Sequence, residues 1–151
     1  GAGGSKTVRH LCDSNVFLAL AVGQHAHHAR VADWFRDLDP GDAALFCRAT
    51  RITFLRLLTQ KIAPGFTPLE NREAWKVLDR LMEDDATGFE SEPSGLEPLW
   101  RQLSELPSAS PKRWMDAYLA AFAITGGLRL VTLDRDFRSF EPAGLDLLLL
   151  R

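Results

Sequence analysis

Asp13, Asp116 and Asp134 each follow or open a strongly apolar stretch, in LCDSNVFLAL, RWMDAYLAAFAI and LRLVTLDRDF. Carboxylates spread through a chain in this way are suited to gathering hard oxygen donors around a divalent cation. At about 5 Å, two such charges repel by roughly 3 kcal/mol at an effective dielectric near 20. Protonation of one acid relieves part of that repulsion, and a bound cation is the more usual answer. Magnesium or manganese, as one or two ions, retains several waters, one of which can attack a phosphodiester. An aspartate at a strand end is also a routine helix cap, so each residue taken singly carries that second reading. Asp136 is either a further carboxylate ligand or the cap of a short turn before Phe137.

The elements that must bring these residues together read as alternating strands and helices. Val8 to Cys12, Ala43 to Cys47, Thr87 to Glu90, Leu128 to Leu133 and Leu145 to Leu150 suit strands, the last apolar enough to be buried on both faces. Helical spacing of apolar residues covers Phe17 to Val22, Ala26 to Leu38, Thr50 to Ile62, a segment through Trp75, Leu78, Leu81 and Met82, and Pro93 to Leu106. Thr67-Pro68 reads as the cap of the fourth helix, and Ser110-Pro111 opens the last one, which Gly126-Gly127 stops. This alternation predicts an α/β domain with a mainly parallel sheet of about five strands flanked by helices. In such sheets the functional crevice lies beyond the C-terminal strand ends. Asp13 and Asp134 follow strands there, and Asp116 opens a helix that begins at the same edge.

Length and composition set bounds. A chain of 151 residues suits one domain, and 46% hydrophobic with 25% charged residues is ordinary for a globular protein. A net charge of −2 and a pI near 6.1 exclude a uniformly basic nucleic-acid binder but not a local basic patch. GAGGS at the start reads as an expression scar, which leaves residues 6–151 as the domain. Cys12 and Cys47 lie in apolar runs without zinc-site spacing, so they are expected to be buried reduced thiols, and the setting cytoplasmic. No apolar run approaches the length of a membrane span. His25, His27 and His28 lack a matching cluster elsewhere and read as a helix start rather than a metal site.

LCDSNVFLAL, HAHHARVADWF, ITFLRLLT and MDAYLAAFAITGGLRLVTLDRDF together resemble the PIN-domain ribonucleases, and in particular the VapC-type toxins of bacterial toxin-antitoxin modules. The resemblance spans nearly the whole chain and is most specific in its closing motif. It implies a three-layer fold and a magnesium- or manganese-dependent endoribonuclease with Asp13, Asp116 and Asp134 as metal ligands. Asn15 and Thr132 would support the site. It further implies a VapB-like antitoxin, RNA substrates such as transfer RNA, and a homodimer.

One position departs from the pattern. The resemblance places a glutamate near the start of the third helix, where RATRITFLRLL carries Arg51. A cation there lowers the negative charge available to metal. Either the enzyme works with fewer acids, with Arg51 contacting substrate phosphate or pairing with the carboxylates, or the chain is an impaired PIN-like protein that binds RNA or a partner without turnover. A phosphate-handling α/β protein of another family is the more distant alternative. Lys112, Arg113 and Arg51 are candidate phosphate contacts, and Trp114 is a candidate platform for a base. Trp34, Trp75 and Trp100 fall on apolar helical faces and are assigned to packing.

Overall fold

The computed structural model describes residues 7–151, so the segment read as an expression scar lies outside the described residues. Five strands, β1 (Arg9–Cys12), β2 (Ala43–Phe46), β3 (Thr87–Phe89), β4 (Arg129–Thr132) and β5 (Leu147–Leu149), form one sheet in the order β3-β2-β1-β4-β5. Every pairing is parallel. Helices α1 (Ser14–Ala21) and α2 (His28–Arg36) connect β1 to β2, and α3 (Arg48–Leu58) and α4 (Asn71–Met82) connect β2 to β3. The chain then returns through α5 (Leu96–Ser104) and α6 (Arg113–Gly126) to β4, and a 3-10 segment (Arg135–Ala143) leads to β5. The chain from β1 works outward to β2 and β3, then crosses back to place β4 on the other side of β1. The boundary between β1 and β4 is therefore the switch point at which open parallel sheets form their crevice.

Alternation along the strands sends side chains into two separate cores. Cys12, Ala44, Phe46 and Val131 join one cluster with Val16, Phe17, Val31, Phe54, Leu58 and Leu78 from the first four helices. Leu11, Leu45 and Leu130 join the other with Leu119, Phe122, Phe137 and Phe140. The sheet is thus covered on both faces, which gives the expected three layers. The first core is organised by an aromatic triad: Phe17 stacks on Phe46 with ring centroids 3.7 Å apart, and Phe54 meets Phe46 edge-on at 5.5 Å. Cys12 and Cys47 are buried free thiols, as their apolar settings predicted. Burial, with the charge of Asp13 adding and a backbone hydrogen bond at Leu45 opposing, pushes the Cys12 thiol far up, so it stays protonated.

Several local expectations need correction. β5 is an edge strand paired only with β4, and Leu147 to Leu149 are half-buried rather than enclosed on both faces. α4 begins at Asn71 and not behind Thr67-Pro68; Glu73 reaches back to accept from the Glu70 amide at 2.9 Å, a reciprocal cap that replaces the threonine. Trp75, assigned to packing, is 51% exposed on α4. His25, His27 and His28 stay local: the His27 amide donates to His25 Nδ1 at 3.0 Å, and His28 Nδ1 lies 2.8 Å from the Ala19 carbonyl. Among the described residues no helix is long and apolar enough to cross a membrane.

Because Phe46 is fully buried at the centre of the triad and leads directly into α3, Phe46→Ala is expected to cost about 3–5 kcal/mol of stability. Urea unfolding followed by circular dichroism checks this; a loss below about 1 kcal/mol would show that the triad does not organise this layer.

Candidate active site at the carboxylate edge

Parallel pairing of Cys12 with Val131 places the ends of β1 and β4 side by side. The chain continues this pairing for one more step, as the Asp13 amide donates to the Val131 carbonyl at 2.9 Å. Asp13 then caps α1, accepting from the Ser14 amide at 2.8 Å through Oδ1. Its other oxygen accepts from the Thr132 hydroxyl at 2.9 Å, and the same hydroxyl oxygen accepts from the Asp134 amide at 3.0 Å. Thr132 is fully buried. A single hydroxyl thus fixes Asp13 and the backbone of Asp134 relative to each other. Asn15 adds a longer tie, its Oδ1 accepting from the Leu133 amide at 3.4 Å.

Asp116 stands in the first turn of α6, and Asp134 caps the 3-10 segment by accepting from the Asp136 amide at 2.9 Å. Asp136 is not the cap of this turn, a correction to one of its two readings: its amide donates to Asp134, and its carboxylate accepts from Lys112. Lys112 joins these acids. Its ammonium donates to Asp134 in a very short contact, to Asp136 at 2.8 Å, and lies 3.6 Å from Asp116. Asp13, Asp116 and Asp134 raise or are raised by one another's fields, so they share one electrostatic site. Arg113, grouped with Lys112 as a phosphate contact, is engaged otherwise. It donates to the Leu103 carbonyl at 2.9 Å and to Ser139 Oγ at 3.0 Å, with its guanidinium 4.1 Å from the Phe140 ring centroid. It ties α5, α6 and the 3-10 segment together while lining the groove that runs past Lys112 and Asp116.

The titration of the site reflects its crowding. Burial is the largest influence on Asp13 and lifts it to about 6, the hydrogen bonds from Thr132 and Ser14 opposing and the charges of Asp116 and Asp134 adding. Burial raises Asp116 too, with Lys112 opposing and Asp134 reinforcing. For Asp134, burial is outweighed by the Lys112 hydrogen bond, the Asp136 amide and the Lys112 charge, and the carboxyl is held low. Burial also works against the charge on Lys112, but its bonds to Asp134 and Asp136 and the field of Asp116 keep it firmly protonated.

Among the described residues no three acidic, thiol or imidazole side chains are already gathered as the ligands of one ion. Asp13 faces Thr132, whereas Asp116, Asp134 and Asp136 face Lys112. The residues nonetheless fit a hard divalent cation. Their donors are all carboxylate oxygen, and three of them already converge on a positive charge, the Lys112 ammonium, which stands where a cation is demanded. An open groove of about 450 Å³ runs past the cluster, lined in part by Lys112, Asp116, Asp136, Arg135 and Ser139.

The remaining candidates lie around this centre. Trp114, at 61% exposure, stands two residues before Asp116, with its carbonyl accepting from Trp100 Nε1 at 2.9 Å. Arg51 does not pair with the carboxylates. Its guanidinium lies 4.6 Å from the Phe89 ring centroid and 5.8 Å from that of Phe46, with Nη2 3.8 Å from Met82 Sδ. The pairing alternative for Arg51 is therefore corrected. Sequence reasoning missed that Lys112 bridges three acids at once; its position four residues before Asp116, one helical turn, was the available signal.

Comparison with known proteins gives the chain's family. Residues 11–141 match the PIN domain model. The chain is 45% identical over 144 residues to Ribonuclease VapC41 of Mycobacterium tuberculosis, covering 93% of this chain and 97% of that protein. Ribonuclease VapC31 of the same species is 32% identical over 135 residues, covering 86% and 92%. The fold is shared with VapBC-1 of nontypeable Haemophilus influenzae (TM-score 0.68, 12% identity, 95% and 98% covered). It is shared also with Mycobacterium tuberculosis VapC20, a toxin that cleaves the sarcin-ricin loop (TM-score 0.62, 18% identity, 90% and 95% covered). The chain belongs to the PIN-domain family, within its VapC branch.

Two outcomes follow from the site's electrostatics. The folded-state carboxyl of Asp13 titrates higher than in the unfolded chain, so without metal stability falls as pH rises from about 4 to about 6 and stays low above that. In chelator, Asp13→Asn should remove this fall and be more stable than the wild type at pH 7.5 by on the order of 2 kcal/mol, with the two converging near pH 4. Manganese should stabilise the wild type and not the variant; urea midpoints across the pH series check both. Thr132→Val keeps the shape but strands the Asp134 amide and the Asp13 oxygen. It is expected to cost about 1–3 kcal/mol and to weaken manganese binding about 10- to 100-fold. Calorimetric titration with unchanged affinity would show that the hydroxyl does not organise the carboxylates.

Proposed function

We propose that this chain is a metal-dependent endoribonuclease toxin that hydrolyses RNA phosphodiester bonds and is neutralised by a cognate VapB-like antitoxin. The observation that carries this reading is the convergence of Asp116, Asp134 and Asp136 on one cation, beside an Asp13 locked to Asp134 through Thr132. The names of the curated relatives, ribonucleases over nearly their whole length, support it. So do the toxin-antitoxin complexes among the structural neighbours.

Asp13, Asp116 and Asp134 would hold magnesium or manganese, one or two ions, with Asp136 at the rim. When bound, the metal supplies a water of lowered pKa and neutralises charge developing on the phosphate. The chain's own residues do the rest. Thr132 and Ser14 aim Asp13 into the site, and Asn15 steadies the loop that carries Asp134. Lys112 neutralises the acids, and its exposed side chain would reach a phosphate oxygen if a cation took its place among them. Trp114 offers an exposed ring at the same end of α6 on which a base can stack.

The impaired alternative has less support, because the Arg51 charge rests on Phe89 instead of among the acids and so does not cancel them. For the antitoxin, the groove between α3 and α4 lined by Leu55, Arg56, Ala74 and the exposed Trp75 suits an apolar segment of a partner chain. A homodimer, structured RNA such as transfer RNA as the target, and a cytoplasmic setting complete the reading.

Purified free of partner, the chain should cut RNA in manganese and leave 5′-phosphate ends, and chelator should abolish this. Asp116→Asn should lower the rate by on the order of 100-fold or more while melting like the wild type. Gel-resolved cleavage that persists in chelator, or at full rate in Asp116→Asn, would overturn the proposal.

A further inference from the structure

On the β2-β3 side of the same edge, two guanidinium groups share one aromatic ring. Arg48 lies 4.8 Å and Arg51 4.6 Å from the Phe89 centroid. Among the described residues neither has a carboxylate partner, and Arg51 Nε is buried without an acceptor. The nearby acids are engaged or out of contact: Glu90 pairs with Arg9, Glu92 accepts from the Tyr118 hydroxyl, and Asp79 reaches Arg51 only through its field. Both cations sit in the first turn of α3, which carries no acidic residue. The positive end of the helix dipole therefore adds to their charge. Two like charges held side by side at a positive helix end create a demand for an anion that the described protein groups do not meet.

The position of the pair names the anion. Phe46 and Phe89 are register partners at the C-terminal ends of β2 and β3, and α3 starts just beyond β2. β2 neighbours β1, whose end carries Asp13, and adjacent strands lie roughly 5 Å apart. A strand of RNA whose scissile phosphate lay at the carboxylates would carry its neighbouring phosphates along this edge. We propose that Arg48 and Arg51, braced on Phe89, form a phosphate subsite that binds the RNA backbone beside the scissile bond. The inference rests on the ribonuclease reading for the identity of the strand, and it gives Arg51 a task distinct from metal binding. Phe89 holds both guanidiniums by cation-π contact; the exposed Arg48 presents its N–H groups to a phosphate oxygen, while Arg51, whose Nε is buried and whose Nη2 lies 3.8 Å from Met82 Sδ, adds its charge and its remaining N–H groups.

Anisotropy of a fluorescein-labelled single-stranded RNA, measured in chelator across a salt series, tests the subsite without turnover. The wild type is compared with Arg48→Gln/Arg51→Gln, with Arg48→Lys/Arg51→Lys, and with Arg56→Gln as a control on the same helix. The glutamine pair should lose affinity on the order of tenfold at low salt, and its plot of log affinity against log salt should flatten by about 1.4, roughly 0.7 for each lost contact. The lysine pair should keep the wild-type slope, and the Arg56 control should behave as the wild type. If the double variant fails to fold by circular dichroism, Arg48→Gln alone, at an exposed side chain, must flatten the slope by about 0.7. An unchanged slope overturns the proposal. So does weakened binding of a polyglutamate peptide with RNA binding intact, which would assign the pair to an acidic protein partner. Wild-type cleavage in manganese is followed in parallel. Cleavage with an unchanged slope in the glutamine pair removes the subsite alone, whereas RNA binding with a flattened slope but no cleavage removes the nuclease reading and keeps the subsite.

Discussion

Uncompensated negative charge at the switch point of the sheet is the constraint on which the rest of the structure depends. Asp13 and Asp134 follow neighbouring strands, and Asp116 enters the same field from α6. Such groups cost several kcal/mol to assemble without a cation. Three of the described acids meet that cost with Lys112. Asp13 has no such cationic partner among the described residues; burial first, and the charges of Asp116 and Asp134 after it, make it hold its proton more tightly. The two solutions divide the site into a half that is neutralised from within and a half that awaits charge from outside.

The fold serves this arrangement through rigidity near the acids. The two cores pin β1 and β4 from opposite faces, so their ends cannot drift apart, and Thr132 converts that fixed spacing into a fixed relation between Asp13 and Asp134. Thr132 is buried and the acid it holds is part-buried, whereas Lys112 and Asp136 are exposed. A lysine on an exposed side chain can leave the cluster at little cost to packing, whereas a buried threonine cannot.

The parts of the fold that were legible in the sequence are those fixed by local pattern. Apolar runs bounded by turn residues located all five strands, and helical periodicity located the helices, because each is set by burial within its own segment. The α4 start was misplaced because a reciprocal Glu70–Glu73 cap competes with the Thr67-Pro68 signal. Trp75 was misread because a helical stripe does not say how far the covering layer extends, and here it stops short. β5 has the composition of a central strand but lies at the edge, a property of topology and not of residues. For the site, Asp13 and Asp134 could be placed on one edge because strand ends converge by rule, Asp116 because its helix begins at that edge, and Thr132 only through the family resemblance. The bridging role of Lys112 and the engagement of Arg113 with Leu103 and Ser139 depend on side-chain paths across separate elements, which one-dimensional pattern does not encode.

Charge is also sorted across the sheet edge. The acids occupy the β1-β4 side, and the guanidiniums of Arg48 and Arg51, without a carboxylate partner among the described residues, occupy the β2-β3 side. If Arg51 stood among the acids, it would compete with any metal and the edge would be electrically closed. Turned onto Phe89, it leaves the acids their negative field and offers a positive one a strand or two away. A polyanion bound with a divalent cation needs both fields at once, one to hold the ion and one to hold the phosphates beside it. A lone metal needs only the first, and an acidic partner only the second. The replacement of an expected acid by Arg51 therefore keeps the two charges on separate halves of the edge, which is the arrangement that the proposed metal and phosphate sites require.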